Sequence, residues 1–142
     1  MSIATRPDFS ALTALVVEDD LDSREFLGAV LRSCGAQVHE ADNVQTAKEY
    51  VSTLTFNLIV TDLALPGEDG TAFLKWLRQQ PHDKSGAAAV VAVTAYYEKY
   101  PPSGFSGWAA YFQKPVEMDQ FVQTIAAIFH ISAGTKASAS RG

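Results

Sequence analysis

The sequence predicts an α/β fold in which a doubly wound, five-stranded parallel sheet in the order 2-1-3-4-5 carries helices on both faces. Short apolar segments of strand length alternate along the chain with longer segments of helical period. The strand segments are apolar at successive positions rather than at every second one, which is typical of strands covered on both faces. Right-handed crossovers between parallel strands make the doubly wound order the simplest arrangement.

The first half of the chain is predicted to contain three strands and two helices. Residues 21–33 have the period of an amphipathic helix, with Leu27 and Leu31 on its buried side. Asp42 or Asn43 can cap the second helix, because both side chains accept hydrogen bonds from unpaired helical N–H groups. In chain order, the predicted elements are residues 12–17, 21–33, 36–40, 44–54 and 57–61.

The second half is predicted to contain two more helices and two more strands. The third helix stops before Pro81, because a proline disfavours helical backbone at the residue that precedes it. The last helix has an apolar face that includes Phe121 and Ile125. In chain order, these elements are residues 70–80, 89–93, 110–112 and 116–131.

The chain has 142 residues, of which 47% are hydrophobic, and this suits one domain with one folded core. We interpret residues 11–131 as that domain, residues 1–10 as an N-terminal extension and residues 132–142 as a flexible tail. The formal net charge of -5 argues against nucleic-acid binding, which needs basic faces.

Neither a membrane segment nor a disulfide is expected. No apolar run approaches the ~20 residues of a membrane-spanning helix, and the N-terminus lacks the apolar core of a signal peptide. Cys34 is the only cysteine, and it lies on the apolar side of the first predicted helix. These features predict a soluble cytoplasmic protein with a buried, inert thiol.

Polar side chains stand where the predicted strands end. Glu18 and Asp19 follow the first strand, Asp62 follows the third, Thr94 follows the fourth and Lys114 follows the fifth. Open α/β sheets hold their ligands at the carboxyl ends of the strands. The sequence therefore predicts that these five residues converge at one edge of the sheet.

Three carboxylates and one ammonium leave an excess of negative charge at that edge. Two like charges ~4 Å apart repel by about 4 kcal/mol at an effective dielectric constant of 20. A hard divalent cation would cancel the excess, and a ligand set made only of oxygen atoms suits Mg²⁺. Asp62 is also placed as a nucleophile, because a carboxylate can attack phosphorus and form an acyl phosphate.

These residues lie in segments that resemble the receiver domain of bacterial two-component response regulators. The resemblance spans roughly residues 12–130 and implies a flavodoxin-like fold. Each segment is a weak signal alone, but their order and spacing are specific. The segments are LVVED (15–19), VTDLALPG (60–67) with DG (69–70), VTA (93–95) and YFQKP (111–115).

The resemblance implies a magnesium site built around the phosphoacceptor. Asp62 resembles the phosphoacceptor and is also a metal ligand. Asp19 resembles the direct Mg²⁺ ligand, and Glu18 resembles a ligand that acts through water. Ala64 would contribute its backbone carbonyl, so its side chain need not be polar.

The resemblance also implies a phosphate-binding and switching set. Lys114 resembles the phosphate-binding lysine, Thr94 the switch hydroxyl and Tyr111 the switch aromatic residue. The peptide bond before Pro115 is expected to be cis, as is typical of the family.

Simpler interpretations of single residues stay open. Asp20 and Asp22 are better explained as acids at the start of a helix than as metal ligands. Asp62 alone could cap a turn before Pro66. Tyr111 could fill the core.

One segment departs from the family. Between the fourth and fifth strands the family usually has a regular helix, but here Pro101 and Pro102 interrupt the segment. We predict that this helix is truncated or irregular. Its aromatic residues form either an altered partner or dimer surface or a compact loop that buries its own rings; they are Tyr96, Tyr97, Tyr100, Phe105 and Trp108.

The resemblance implies a signalling switch rather than an enzyme. A histidine kinase or a histidine phosphotransfer domain would donate a phosphoryl group to Asp62 with Mg²⁺ bound, and output would occur by protein-protein contact. The first helix, with Leu21, Ser23, Arg24 and Leu27, is the expected docking surface. Two alternatives remain: a pseudo-receiver used only for interaction, and an aspartyl phosphohydrolase. Both a homodimer and a receiver excised from a hybrid kinase stay open.

Overall fold

The protein is described from a computed structural model, which covers residues 6–81, 84–101 and 107–132. Five parallel strands form one sheet in the order β2-β1-β3-β4-β5, which confirms the predicted flavodoxin-like fold. The strands are β1 (Thr13–Val17), β2 (Gln37–Ala41), β3 (Leu58–Asp62), β4 (Ala89–Thr94) and β5 (Ala110–Gln113). The helices are α1 (Leu21–Ser33), α2 (Val44–Thr53), α3 (Gly70–Arg78) and α4 (Met118–Ile128).

The sheet is covered on both faces, and successive residues of a strand enter different cores. Ala14 and Val16 of β1 pack in one cluster with residues of α1 and α4. Leu15 and Val17 pack in the other cluster with residues of α2 and α3. Strands with two buried faces need apolar residues at consecutive positions. This explains why the strands show no alternation in the sequence.

Side-chain caps fix where the helices begin. Asp20 accepts a hydrogen bond from the Ser23 amide and so caps α1. Asn43, and not Asp42, caps α2. The last helix begins at Met118 rather than at residue 116, because Glu117 accepts hydrogen bonds from the first amides of the helix.

Phe9 extends the folded core into the segment that we expected to be an extension. Its side chain is fully buried, and its amide donates to the Cys34 carbonyl at 2.7 Å. Cys34 is a free, buried thiol, as predicted. Apart from Ser132, the predicted tail lies outside the described residues.

The connection between β4 and β5 begins with residues 95–101, which we call the aromatic turn. The amides of Lys99 and Tyr100 both donate to the Tyr96 carbonyl, and neither residues 95–101 nor 107–109 form a helix. The prediction of a truncated or irregular helix is confirmed for these described residues. Residues 102–106, with Pro102 and Phe105, lie outside them.

The rings of this connection do not share one environment. Tyr96 and Tyr97 are 60% and 45% exposed, so these two rings are not buried by a compact loop. Trp108 instead packs against the core cluster that includes α2 and α3. The segment is therefore exposed at its start and anchored at its end. Among the described helices, none has the length and hydropathy needed to cross a membrane.

Candidate functional site

Glu18, Asp19 and Asp62 meet at the carboxyl edge of the sheet. Val17 of β1 lies opposite Thr61 of β3, so the next residue on each strand, Glu18 and Asp62, emerges beside the other. One ligand oxygen from each of the three acids lies within 4.8 Å of the others. Glu18 is fully buried and Asp62 nearly so, whereas Asp19 is exposed.

Lys114 joins the two buried acids. Its Nζ donates to Glu18 Oε1 at 2.5 Å and to Asp62 Oδ2 at 2.8 Å. The Lys114 amide also donates to the Thr94 carbonyl at 2.9 Å, which holds the residue at the end of β4. The predicted convergence of Lys114 on the acids is therefore present in the structure.

The remaining oxygens of the buried carboxylates accept backbone hydrogen bonds. The Asp20 amide donates to Glu18 Oε2 at 3.1 Å, and the Ala64 amide donates to Asp62 Oδ1 at 3.0 Å. Buried carboxylates need such partners, because a buried charge without a partner destabilises the folded state. Removing one partner of a buried ion pair lowers the free energy of unfolding by about 3–5 kcal/mol. We call residues 18–20 the acid loop.

Burial and hydrogen bonding together set the pKa values of Glu18 and Lys114. Loss of water around Glu18 raises the pKa of its carboxyl to about 7, although hydrogen bonds from Lys114 and from the Asp20 amide oppose this shift. Burial alone would lower the pKa of Lys114, but its hydrogen bonds to Asp62 and Glu18 raise it above the usual value. The Lys114 ammonium therefore stays charged at neutral pH, and Glu18 exchanges its proton near neutrality.

The donor set fits Mg²⁺. Three carboxylates with one lysine carry a formal charge of -2, so a divalent cation would neutralise the site. Two oxygens bound to one Mg²⁺ at about 2.1 Å can be no more than about 4.2 Å apart. The three ligand atoms, which lie within 4.8 Å of one another, would move closer together to reach that geometry. Glu18, Asp19 and Asp62 would hold the ion, with the Ala64 carbonyl a further candidate ligand.

Gly70 allows the first turn of α3 to lie against the end of β3. A Cβ atom at this position would come within 2.5 Å of the Asp62 carbonyl oxygen and 2.9 Å of Leu63 Cα. The Gly70 amide donates to the Leu63 carbonyl, so the contact is also hydrogen-bonded. Any other residue here would displace the backbone that carries Asp62.

Thr94 lies next to the acids, but Tyr111 is directed away from them. Val93 is opposite Asp62 in the β3–β4 register, so Thr94 follows one residue beyond it. The buried Thr94 Oγ1 accepts from the Tyr96 amide at 2.9 Å. The Tyr111 hydroxyl donates to the Tyr100 carbonyl, and its ring contacts Tyr97 edge-on.

Tyr111 is neither core filler nor part of the acid cluster. Its side chain is half-buried, and its hydroxyl ties β5 to the aromatic turn. Burial, followed by the proximity of Tyr97, raises the pKa of the Tyr111 hydroxyl, so the group remains a hydrogen-bond donor at neutral pH. Tyr111 thus links β5, the strand that precedes Lys114, to the aromatic turn.

An apolar groove leads to Lys114 from the surface. The Lys114–Pro115 peptide bond is cis, in agreement with the expectation. The groove lies between α1 and the residues that follow β5. It is lined by Asp22, Ser23, Phe26, Leu27, Lys114, Pro115 and Val116.

The expected docking residues of α1 do not all face solvent. Leu21 is 53% exposed, but Leu27 is buried and contributes only to the floor of the groove. The Arg24 side chain is only 17% exposed, because its guanidinium is directed toward Glu18 and Glu40. Sequence reasoning placed Arg24 at the surface and gave Glu40 no role, although Gly28 in the middle of α1 was a signal for a close contact.

A second missed contact holds the segment that follows Asp62. The Lys48 ammonium donates to both carboxylate oxygens of Glu68, at 3.0 and 3.1 Å, and lies over the Trp76 ring. This contact connects α2, the β3–α3 loop and α3. Only the fold brings these residues together, and we find no local sequence pattern that predicts it.

Comparison with known proteins identifies one family. The family model described as "Response regulator receiver domain" matches residues 14–126. The matched range contains every predicted site residue, from Glu18 to Pro115.

Curated relatives include both a small protein and part of a large one. An uncharacterized 14.6 kDa protein of Leptolyngbya boryana is 31% identical over 113 residues, which are 78% of this chain and 85% of the relative. The signal transduction histidine-protein kinase BarA of Escherichia coli (strain K12) is 30% identical over 115 residues. The aligned region is only 12% of the length of BarA, so the chain resembles one portion of that kinase.

Solved structures agree with this assignment. A response regulator receiver domain (CheY-like) from Methylobacillus flagellatus has a TM-score of 0.74 at 26% identity, covering 82% of this chain and 98% of its own. A putative response regulator from Chloroflexus aurantiacus has a TM-score of 0.75 at 26% identity, covering 84% of this chain and 98% of its own.

Proposed function

Because the chain belongs to the response regulator receiver domain family, we propose that it is a phosphoacceptor switch whose Asp62 receives a phosphoryl group. The observation that carries the proposal is the buried cluster itself. Asp62 is paired with Lys114 and lies beside Glu18 and Asp19, and these four residues come from three strand ends that are distant in sequence. A structural role alone does not require three acids around one lysine.

The proposed donor is a phosphohistidine of a kinase or of a phosphotransfer domain. A carboxylate oxygen of Asp62 attacks the phosphorus atom and forms an acyl phosphate. The bond between phosphorus and the imidazole nitrogen breaks, and that nitrogen leaves with the electron pair. Bound Mg²⁺ would supply positive charge for the phosphoryl oxygens.

Residues of this chain position and neutralise the transferred group. Lys114 Nζ lies 2.8 Å from Asp62 Oδ2, and after the transfer it can donate a hydrogen bond to a phosphoryl oxygen. The Ala64 amide orients the Asp62 carboxylate through Oδ1. Thr94, buried at the adjacent strand end, supplies a hydroxyl that can donate to the same group.

The groove beside α1 is the proposed docking surface for the donor. It runs from the exposed ring of Phe26 to Lys114, so a partner helix seated there would bring its histidine to Asp62. Apolar grooves with exposed anchors are typical binding sites for a helix. Because a region of BarA is similar to this chain, the donor kinase could also be covalently attached to the receiver.

The proposed output is a protein-protein contact that phosphorylation alters. The Tyr96 amide is bonded to the Thr94 hydroxyl, so withdrawal of that hydroxyl toward a phosphoryl group releases one end of the aromatic turn. Tyr111 is hydrogen-bonded to the Tyr100 carbonyl, and this contact would change at the other end of the aromatic turn. Phosphorylation then shifts the population of conformations that a downstream protein or a second copy of the chain recognises.

Two further features belong to the proposal. The protein would catalyse no reaction beyond its own phosphorylation and dephosphorylation. A cytoplasmic location is proposed because the free thiol of Cys34 suits a reducing compartment.

Two other functions predict different behaviour. A pseudo-receiver would bind partners without accepting phosphate, but the acid set here is complete. A phosphohydrolase with an aspartyl nucleophile usually needs a second acid two residues later to move a proton. That position is Ala64, which has no titratable side chain.

Intact mass after incubation with acetyl phosphate and Mg²⁺ tests the proposal. The wild type and Asp42→Asn, a matched change at an exposed position, should each gain one phosphoryl group, whereas Asp62→Asn should gain none. An equal gain in Asp62→Asn would place the phosphoacceptor elsewhere. Absence of any gain would support the pseudo-receiver, and continuous phosphate release from many small esters would support the hydrolase.

A further inference from the structure

Arg24 reaches from α1 into the candidate site. Its Nη1 donates to the main-chain carbonyl of Glu18 at 2.9 Å, and only 17% of its side chain is exposed. The Glu18 amide donates to the Ala41 carbonyl at 2.9 Å. Both main-chain polar groups of Glu18 are therefore held, one by the sheet and the other by Arg24.

Glu40 holds the Arg24 guanidinium in place. Glu40 Oε1 lies 3.6 Å from Arg24 Nε, and Glu40 Oε2 lies 2.7 Å from Arg32 Nη1. Arg32 also donates to the Val38 carbonyl at 3.0 Å, which fixes it against β2. The charge of Arg24 is thus compensated by Glu40 at Nε, and Arg24 Nη1 donates to the Glu18 carbonyl.

Gly28 provides the space for this arrangement. A Cβ atom at this position would come within 2.6 Å of Glu40 Oε2 and 3.1 Å of Arg32 Nη1. Glycine is unfavourable in the interior of a helix compared with alanine. Its presence in α1 is explained by the carboxylate that lies against it.

We propose that Arg24 is a positioning residue of the metal site. By fixing the Glu18 carbonyl, it sets the direction in which the acid loop leaves β1, and so it orients the Glu18 and Asp19 carboxylates toward Asp62. Glu40 acts through Arg24, because its carboxylate holds the Arg24 guanidinium, and Gly28 leaves space for that carboxylate. The inference rests on the proposed function, since it assigns a role in binding the ion that the phosphoacceptor site needs.

A pair of matched variants separates this role from general stabilisation. Arg24→Met and Arg32→Met each remove one arginine from Glu40 and change the net charge equally, but only Arg24 contacts Glu18. We expect Arg24→Met to weaken Mg²⁺ binding about tenfold, as loss of a ligand-orienting partner does, and Arg32→Met to change it by less than about twofold. Calorimetric titration with Mg²⁺, at a temperature where both variants are folded, measures the difference.

A second measurement does not depend on the metal. The Asp20 amide donates to Glu18 Oε2, so its hydrogen exchange reports whether the Glu18 side chain keeps its position. In metal-free protein, Arg24→Met should accelerate exchange at Asp20, and Arg32→Met should leave it close to the wild-type rate. Gly28→Ala should also accelerate exchange at Asp20, because its added methyl group displaces the Glu40 carboxylate. Alanine favours a helix over glycine, so loss of α1 would not explain the faster exchange.

The outcomes distinguish failure of the inference from failure of the proposed function. Equal Mg²⁺ affinities in the two arginine variants, or equal exchange at Asp20, would overturn the positioning role. A wild-type protein that accepts no phosphoryl group would contradict the proposed function, and the Asp20 exchange rates would still decide the role of Arg24. Faster exchange at Asp20 in Arg24→Met but not in Arg32→Met supports the inference.

Discussion

The two flanks of the candidate site differ in how their polar groups are held. In the acid loop, the Glu18 amide, carbonyl and both carboxylate oxygens all have partners, and the carboxylate is buried. In the aromatic turn, the hydrogen bonds join backbone atoms and two hydroxyl groups, and the first two tyrosines remain exposed.

The difference follows from the cost of burying charge. A buried carboxylate without partners is far more costly than an exposed aromatic ring. The acid loop therefore tolerates few arrangements, whereas the aromatic turn can vary without unfolding the protein. Fixed chemistry on one flank and a more variable surface on the other are compatible with this construction.

Removal of the Lys114 charge is the strongest test of this comparison. Without Mg²⁺, Lys114→Met leaves the carboxylates of Glu18 and Asp62 buried beside each other without a cation. The free energy of unfolding should fall by about 3–5 kcal/mol. Lys99→Met, in the aromatic turn, should change it by no more than about 0.5 kcal/mol.

Urea denaturation with and without Mg²⁺ measures both effects. Added Mg²⁺ should recover part of the loss in Lys114→Met, because a ligand that binds only the folded state stabilises it. Similar losses in the two lysine variants would contradict the difference between the flanks.

The stability of the metal-free protein should depend on pH through Glu18. The folded-state pKa of about 7 lies above the model value of 4.5, which we take for the unfolded chain. Between pH 4.5 and about pH 7, the folded protein binds up to one more proton at Glu18 than the unfolded chain does. The contribution of Glu18 to the free energy of unfolding is therefore greatest near the lower pH and decreases as the pH rises to 7. The two pKa values make the expected loss on the order of 3 kcal/mol.

Urea midpoints in the presence of EDTA, compared between wild type and Glu18→Gln, isolate this contribution. Glu18→Gln has no titrating group at this position. The difference in urea midpoint between the two proteins should therefore change between about pH 5 and about pH 8. A constant difference from about pH 5 to pH 8 would show that burial does not raise the pKa of Glu18.

A smaller effect is expected where Tyr111 meets the aromatic turn. Tyr111→Phe removes the hydrogen bond to the Tyr100 carbonyl and should cost about 1 kcal/mol of unfolding free energy. The amides of Lys99 and Tyr100 should exchange faster, and Mg²⁺ affinity should not change. Tyr97→Phe keeps the ring contact and is the matched control. Unchanged exchange in Tyr111→Phe would mean that the hydroxyl does not hold the turn.

The smallest effect is expected at Tyr96. Its ring is 60% exposed, so Tyr96→Ala should change the free energy of unfolding by no more than about 0.5 kcal/mol. Thermal unfolding of the two proteins measures this difference. A loss comparable to that of a buried aromatic residue would show that the aromatic turn is as constrained as the acid loop.

The sequence alone determined the fold and the members of the acid cluster. Strand and helix periods are local properties, and acids placed directly after apolar strands identify one edge of a parallel sheet. For the same reason α1 was predicted with its observed bounds, Leu21–Ser33. The absence of a helix in residues 95–101 was also predictable, because a proline disfavours helical backbone at its own position and at the residue before it.

Only the tertiary structure decided how distant side chains pair. The Lys48 ammonium binds Glu68, 20 residues away, and Phe9 enters the core from a segment without strand or helix character. Arg24 has the helical position of a surface residue and turns inward because Gly28 leaves room for Glu40. Such pairings depend on the space left between packed elements, and a local signal such as Gly28 does not say which side chains fill that space.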